Sequence, residues 1–226
     1  GKVYAVGAAG TILRYDGTRW TAMVSGTSKM LFGIWGFSEA DVYAVGESGI
    51  ILHYDGTRWT AMTSGTDAML YSVWGTSPDN IYAVGNAGTI LNYKGTRWTS
   101  VQSPTEKTLQ SISGSSSNDI YAAGSYGTII HYDGAQWETV DSGTSAHLLD
   151  VFSISDNEVY AVGWEGIVLR YNGTRWTVME NCVQDKLAGI WGVPGGTAYA
   201  VGDSGKIIQH RKNPVAISAI VLLLFK

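Results

Sequence analysis

Apolar residues in this chain come in short consecutive runs, and glycine, asparagine, aspartate or serine separates one run from the next. Ala5-Val6 and Ile12-Leu13 are examples. A half-exposed strand would alternate apolar and polar residues, whereas consecutive apolar residues in a short strand indicate that both of its faces are buried. Valine, isoleucine, tyrosine, tryptophan and threonine dominate the runs, as they do in strands. The pattern therefore predicts an all-β protein with almost no helix.

The runs repeat with a fixed period of 39 residues. The sequence GTILRYDGTRWTAM at Gly10–Met23 returns as GIILHYDGTRWTAM at Gly49–Met62. A period of this length is typical of repeat architectures, in which neighbouring units cover each other's apolar faces. Upstream, a motif that reads Val-Tyr-Ala-Val-Gly in its first copy begins at residues 3, 42, 81, 120, 159 and 198. Each copy ends with a glycine and carries a second glycine three residues later.

Each complete repeat predicts four strands, which in one copy span residues 69–75, 80–85, 89–95 and 97–102. A four-stranded antiparallel sheet that is buried on both faces and repeated along the chain is a propeller blade. We therefore predict a single all-β domain over residues 1–226, a β-propeller with six blades of 39 residues. The first copy lacks its first strand, which leaves seven blades open as an alternative.

Two short links connect the last three strands of each repeat. Gly-x-x-Gly joins the second strand to the third. Asp-Gly or Asn-Gly joins the third strand to the fourth and favours a tight hairpin turn with positive φ. Lys94-Gly95 departs from this pattern, so we expect that turn to depend on its glycine alone. The other dipeptides begin at Asp16, Asp55, Asp133 and Asn172.

The repeat resembles a known kind of sequence. SVWGTSPDNIYAVGNAGTILNYKGTRWTSV, at residues 72–101, is similar to repeats found in multiple copies in bacterial surface and secreted proteins, notably of myxobacterial type. The piece YDGTRW also resembles a degenerate Asp-box, the hairpin motif of sialidase-like propellers. The resemblance implies a propeller fold and an extracellular or cell-surface location. It assigns a structural role on the hairpin to Asp16, Asp55 and Asp133.

Composition and charge exclude several classes of function. The formal net charge is −4 with 15% charged residues, which offers no basic stripe and argues against nucleic acid as a partner. Cys182 is the one cysteine, so neither an intrachain disulfide nor a Cys-x-x-Cys metal site is expected. His53 and His131 share a repeat position in non-adjacent blades, which is too far apart for a common metal. We find no catalytic motif and predict neither a cofactor nor a metal.

One repeat position in the first strand carries a tryptophan in three copies, at Trp35, Trp74 and Trp191. Aromatic side chains bury large areas, and we expect these to wedge between blades. Ser113 occupies the position in the fourth blade, where we expect either a thinner interface or a neighbouring group that fills the space.

The Gly-x-x-Gly loops supply the candidate binding residues. Their two central residues are small or polar in every copy except Ser125-Tyr126 and Trp164-Glu165, which lie in adjacent blades. In an antiparallel sheet these loops share one face with the links between blades, where many propellers bind ligands. Tyr126, Trp164 and Glu165 are therefore candidate ligand-binding residues, since aromatic rings stack on sugars and anchor protein partners. The alternative is that the two rings only pack against the adjacent link between blades.

These features predict a non-enzymatic extracellular or cell-surface module that binds carbohydrate or protein, or acts as a scaffold. Two alternatives stay open. One is a structural subunit that assembles through its ends, and the other is a sialidase-like hydrolase, which the absence of a catalytic departure from the repeat disfavours.

The C-terminal segment replaces the expected repeat with an apolar stretch, residues 215–226. It is too short for a membrane span, which needs about 20 residues. Its strand-like composition predicts pairing with the sixth blade, the first blade or a neighbouring subunit, because an unpaired sheet edge accepts an added strand. Within-chain closure and head-to-tail homo-oligomers are both compatible with this prediction.

Overall fold

The computed structural model describes residues 1–193, 197–211 and 221–222. Within these residues every regular element is a strand or a short 3-10 turn, so the expectation of an all-β chain with almost no helix is confirmed. The strands form six antiparallel sheets. The chain divides into two compact units, residues 1–109 and 110–226, which are described in turn.

The first unit holds three sheets. Its strands are β1 (Val3–Val6), β2 (Ile12–Tyr15), β3 (Trp20–Met23), β4 (Leu31–Ser38), β5 (Asp41–Gly46), β6 (Ile51–Tyr54), β7 (Trp59–Met62), β8 (Leu70–Ser77), β9 (Asn80–Gly85), β10 (Ile90–Tyr93) and β11 (Trp98–Ser100). Its 3-10 turns are Ala8–Gly10, Glu47–Gly49 and Asn86–Gly88.

The second unit holds the other three sheets. Its strands are β12 (Leu109–Ser116, which begins at the boundary), β13 (Asp119–Gly124), β14 (Ile129–Tyr132), β15 (Trp137–Val140), β16 (Leu148–Ser155), β17 (Glu158–Gly163), β18 (Val168–Tyr171), β19 (Trp176–Val178), β20 (Leu187–Val193), β21 (Thr197–Gly202), β22 (Ile207–Arg211) and β23 (Val221–Leu222). Its 3-10 turns are Ser125–Gly127, Trp164–Gly166 and Asp203–Gly205.

Strand order within each sheet follows chain order. The first sheet has three strands and the other five have four, as the missing first strand of the first repeat predicts. Equivalent strands pair in equivalent registers, for example Tyr43 opposite His53 and Tyr121 opposite His131. A shared register is expected where both faces of a sheet are buried, because a one-residue slip would exchange them.

Both faces of the inner strands are buried in the second to fifth sheets, as the consecutive apolar runs predict, whereas Ala5 and Val6 of the first sheet are only half-buried. In the first unit one apolar cluster joins the first two sheets and another joins the second and third. In the second unit corresponding clusters join its first and second sheets and its second and third sheets. Val45 and Ala44 of β5 are both fully buried although they point to opposite faces.

The Gly-x-x-Gly link is a single 3-10 turn in all six copies. Its second central residue has a positive φ throughout, between 50° at Ala87 and 58° at Ser204. The closing glycine also has a positive φ in all six copies. A Cβ on Gly88 would lie 1.9 Å from the carbonyl oxygen of Thr105, and the first five copies share such a contact. Steric exclusion therefore explains this glycine in the first five repeats, whereas at Gly205 a Cβ would meet nothing within 4 Å and the positive φ alone favours glycine.

The hairpin between the third and fourth strands has a positive φ at its glycine, as the Asp-Gly dipeptide predicts, but not at its aspartate. Tyr54 pairs with Trp59, which leaves a loop of four residues in which the glycine alone has positive φ. The aspartate acts through its side chain instead. Asp55 Oδ1 accepts hydrogen bonds from the backbone N–H of Thr57 at 2.8 Å and of Arg58 at 2.9 Å. Lys94 carries no acceptor for these bonds, so that loop relies on Gly95, as expected.

The first-strand tryptophans differ in environment. Trp74 is 7% exposed, and its ring lies 6.1 Å from that of Trp35, as a wedge between sheets requires. Trp191, at the same repeat position in the sixth sheet, is 55% exposed, so it does not act as a wedge there. Ser113 is buried, and its hydroxyl accepts the backbone N–H of Ser153 at 3.1 Å. A polar contact with the neighbouring sheet therefore takes the place of the ring.

Only part of the predicted C-terminal strand falls within the described residues. Val221 and Leu222 pair antiparallel with Gln209 and Ile208 of β22 as the fourth strand of the sixth sheet. The rest of the segment lies outside the described residues. The single closed domain and the pairing of residues 215–226 as a whole stay predictions.

Candidate functional site

Three aromatic side chains meet on one loop face of the second unit. The ring of His147 lies 4.7 Å from that of Tyr126 and 5.4 Å from that of Trp164, measured between centroids. Tyr126 is 64% exposed and Trp164 is 52% exposed, although both touch His147. The structure thus brings two of the predicted residues together around a third ring. We call Tyr126, His147 and Trp164 the aromatic triad.

Backbone hydrogen bonds hold the three rings in place. The link that contains His147 runs between two Gly-x-x-Gly turns. Gly127 N–H donates to the carbonyl of Ala146 at 2.7 Å, and Trp164 N–H donates to the carbonyl of His147 at 2.9 Å. These bonds fix His147 between the turn that carries Tyr126 and the turn that carries Trp164. The bond from Trp164 recurs at the same position in the second, third and sixth sheets, so this part of the geometry belongs to the repeat.

From the second repeat on, the other repeats carry a polar residue at the position of Trp164 and methionine, threonine or lysine at the position of His147. At the positions of His147 and Trp164, the second sheet has Met30 and Glu47, whose carboxylate accepts the Met30 N–H at 3.2 Å. The sixth sheet has Lys186 and Asp203, which form a salt bridge at 3.2 Å. In the triad an exposed tryptophan ring replaces the polar side chain of the other repeats. Exposed aromatic surface is the kind of feature that marks an interaction site.

Conformation makes Tyr126 notable. Its φ is 57°, a region that bulky side chains rarely occupy. The same position holds alanine or serine in four of the other five turns and Glu165 in the fifth. The turn imposes this backbone conformation in every repeat, so an exposed tyrosine there adds no visible benefit to folding.

Exposed carboxylates lie on the turn of Trp164 and on the adjacent links. Glu165 follows Trp164 directly and is exposed, and Asp141 and Glu180 are exposed on the links before and after. Lys186 and Lys206, on the loops that follow, are each paired with an aspartate, Lys186 with Asp203 and Lys206 with Asp185.

The remaining histidines have structural partners. His53 Nε2 lies 2.7 Å from Asp41, and its ring stacks on Tyr43 at 4.5 Å. His131 makes the same contacts in its own unit with Asp119, at 2.8 Å, and Tyr121. Burial, and then the adjacent carboxylate, raises the pKa of both tyrosines well above the usual range. Among the described residues, no group of three or more His, Cys, Asp or Glu side chains is arranged to hold a metal.

Sequence reasoning missed His147. It considered His53 and His131 as a metal pair in non-adjacent blades and did not single out His147. Its position in the repeat was the signal that could have identified it. His147 is the last residue before the first strand of its sheet, on the link between the two turns that carry Tyr126 and Trp164. Glu165 is exposed beside Trp164, and whether any of these residues binds a ligand stays a prediction.

No protein-family model matches the chain, and no curated protein matches it in sequence. Solved structures do match. The WD40 β-propeller domain of Doa1 is similar with a TM-score of 0.78 and 14% identity, over 98% of this chain and 79% of that chain. The fold is a β-propeller. The prediction of a propeller built from repeated blades is confirmed, and the six sheets agree with the predicted number.

YCF48 is a second match. The structure of YCF48 from Cyanidioschyzon merolae has a TM-score of 0.70 and 17% identity, over 92% of this chain and 76% of that chain. YCF48 bound to D1 peptide has a TM-score of 0.72 and 16% identity, over 93% of this chain and 74% of that chain. Identities this low establish the fold alone. The likeness to myxobacterial-type repeats and to Asp-box hairpins stays a prediction. Within the described residues, no helix has the length and apolar character needed to cross a membrane.

Proposed function

We propose that this propeller is a non-enzymatic binding scaffold that holds a protein or peptide partner on the loop face of the aromatic triad. The observation that carries the proposal is the exposure of Tyr126 and Trp164 on either side of His147. Tyrosine and tryptophan are enriched among the residues that dominate binding energy at protein interfaces. A solved propeller of similar fold, YCF48, is bound to a peptide, which supports this class of partner.

Carbohydrate is the second candidate, because exposed aromatic rings also stack on sugars. The ring geometry favours the first. The planes of Tyr126 and Trp164 are tilted by 47° and 37° from that of His147, so the three rings do not form one flat platform. Faceted aromatic surfaces suit side chains that arrive from several directions. An extracellular or cell-surface location remains part of the proposal on the strength of the repeat resemblance alone.

Selection of short random peptides by phage display tests the proposal. The chain supplies its own neutral replacements, since Ala87 and Asn86 occupy the positions of Tyr126 and Trp164 in the third repeat. The double variant Tyr126→Ala with Trp164→Asn should weaken binding of the selected peptides by at least about tenfold, as loss of interface anchors does. Both side chains are exposed, so the melting temperature should change little.

The control is Trp20→Ala, which removes a tryptophan of similar exposure, 49%, from the first sheet. It should leave peptide binding unchanged. Failure to select any peptide, or equal binding by the double variant, would overturn the proposal. A glycan array tests carbohydrate binding on the same proteins. This second candidate requires that the natural chain binds a sugar and that the double variant does not.

A further inference from the structure

We infer that the group recognised by the aromatic triad is a cationic side chain of the partner, arginine in preference to lysine. The inference rests on the proposed function and names the chemistry of its ligand. It is drawn from two properties of the surface that occur together, exposed aromatic rings and an exposed carboxylate on the same turn as one of them.

The rings supply the first property. The face of a tryptophan or tyrosine ring attracts a cation through its quadrupole, by about 0.5–1 kcal/mol at exposed sites. Tyr126, His147 and Trp164 lie with centroids 4.7 and 5.4 Å apart, so a planar guanidinium group can lie against one outer ring while its stem contacts a second. Arginine stacks on aromatic faces more readily than lysine because its charged group is planar and weakly hydrated.

An exposed carboxylate supplies the second property. Glu165 is the next residue after Trp164 and shares its turn, and Asp141 lies on the link that contains His147. Neither carboxylate has a salt bridge among the described residues. Lys186 and Lys206, on the neighbouring loops, are neutralised by Asp203 and Asp185. A basic side chain on Trp164 thus meets attraction from the ring and from Glu165, whereas an acidic one meets repulsion from Glu165.

The test compares peptides that differ at one residue. Selected peptides are resynthesised with arginine, lysine, glutamine or glutamate at the position whose substitution weakens binding most, and affinity is measured by fluorescence polarisation. The expected order is arginine, then lysine, then glutamine, with glutamate weakest. The arginine peptide should bind at least about fivefold more tightly than the glutamine peptide, the difference expected for a cation–π contact assisted by a carboxylate.

A matched pair of variants locates the effect. Glu165→Gln should weaken the arginine peptide several-fold, leave the glutamine peptide unchanged and reduce the dependence of binding on salt. Glu106→Gln makes the same change in net charge at an exposed glutamate on a link of the first unit, and it should alter neither peptide.

The outcomes separate the inference from the proposed function. If the glutamine peptide binds as tightly as the arginine peptide, and the double variant at Tyr126 and Trp164 still abolishes binding, the propeller binds peptides but the cationic assignment is wrong. Equal loss of the arginine peptide in Glu106→Gln and Glu165→Gln would also refute it, since the effect would then be one of net charge. If no peptide binds at all, the proposed function fails first.

Discussion

At the scale of single residues, Gly88 and Gly65 show how strictly the repeat constrains some positions and not others. Gly88 has a φ of 67°, and a Cβ there would lie 1.9 Å from a backbone oxygen. Gly65 has a similar φ of 77°, but a Cβ there would meet nothing within 4 Å. Substitution of the two glycines therefore separates the cost of a left-handed backbone from the cost of a steric clash.

We predict that Gly88→Ala destabilises the protein far more than Gly65→Ala. A left-handed alanine costs roughly 1–2 kcal/mol by conformation alone, which sets the expected effect at Gly65. Gly88→Ala adds a clash with backbone that has no room to move, so we expect a loss of more than about 3 kcal/mol. Urea denaturation of both variants measures the difference, and equal losses would show that the contact with Thr105 is not restrictive.

At the scale of elements, one carboxylate connects three strands of the second unit. Asp150 in β16 accepts hydrogen bonds from the Ser111 hydroxyl of β12 at 2.6 Å and from the Ile190 N–H of β20 at 2.8 Å. It also accepts the Val151 N–H at 3.0 Å. The equivalent repeat positions hold glycine or serine, at Gly33, Ser72, Ser111 and Gly189. Burial raises the pKa of Asp150, and these hydrogen bonds offset that effect in part.

This raised pKa predicts an unusual pH dependence. Between its unfolded pKa near 4 and its higher folded pKa, the folded state binds more protons, so this residue's contribution to stability falls as pH rises. The advantage of the natural chain over Asp150→Asn in unfolding free energy should therefore be larger near pH 4 than near pH 7. Urea titrations across that interval measure it, and an advantage that grows with pH would contradict the assignment.

Asp55 provides a control of opposite sign. Hydrogen bonds from the Thr57 hydroxyl and from the N–H groups of Arg58 and Thr57 hold the pKa of that carboxyl well below its usual range. The contribution of Asp55 to the free energy of unfolding is present above about pH 4 and is lost as pH falls toward its folded pKa. Asp55→Asn keeps an acceptor oxygen, as Asn172 does in the fifth repeat. The free energy of unfolding of the natural chain should therefore exceed that of Asp55→Asn by more at pH 7 than at pH 3.

At the scale of the whole molecule, the end sheets expose residues of a type that the inner sheets bury. Val201 of the sixth sheet is 46% exposed, whereas Val162 at the same repeat position of the fifth sheet is fully buried. Trp191 beside it is exposed, and so are Val3 and Trp20 of the first sheet. Uncovered apolar surface of this kind favours association.

We predict that the chain self-associates as its concentration rises. Light scattering after size exclusion should give masses above the 24.3 kDa of one chain. The double variant Trp191→Lys with Val201→Lys should return the mass to that of one chain, because charges placed on the exposed face oppose its burial. Val24→Lys, at a loop valine that is 89% exposed, serves as the control and should not change it. A constant monomer mass would remove the assembly alternative.

The fold was accessible from the sequence because its determinants are local and repeated. The period of 39 residues, the paired glycines and the consecutive apolar runs each act within one repeat, so the same inference was available six times. The four strands, the absent first strand of the first sheet and the burial of both faces all follow from them. The hairpin loop was less accessible, since Asp-Gly is compatible with more than one turn and side-chain acceptance by Asp55 decides between them.

The candidate site shows the limit of such reasoning. Tyr126 and Trp164 stand out in sequence because they depart from the repeat, and their exposure follows from the turn that carries them. His147 joins them only in three dimensions, because backbone bonds from Gly127 and Trp164 bring the intervening link between two turns. In sequence Asp150 is one departure from the glycine or serine of the repeat. Only the structure shows that it accepts hydrogen bonds from Ser111 and Ile190 of two neighbouring sheets. Sequence determined the blade, since its contacts are repeated and local, whereas tertiary structure decided which departures from the repeat meet, since those contacts join different repeats.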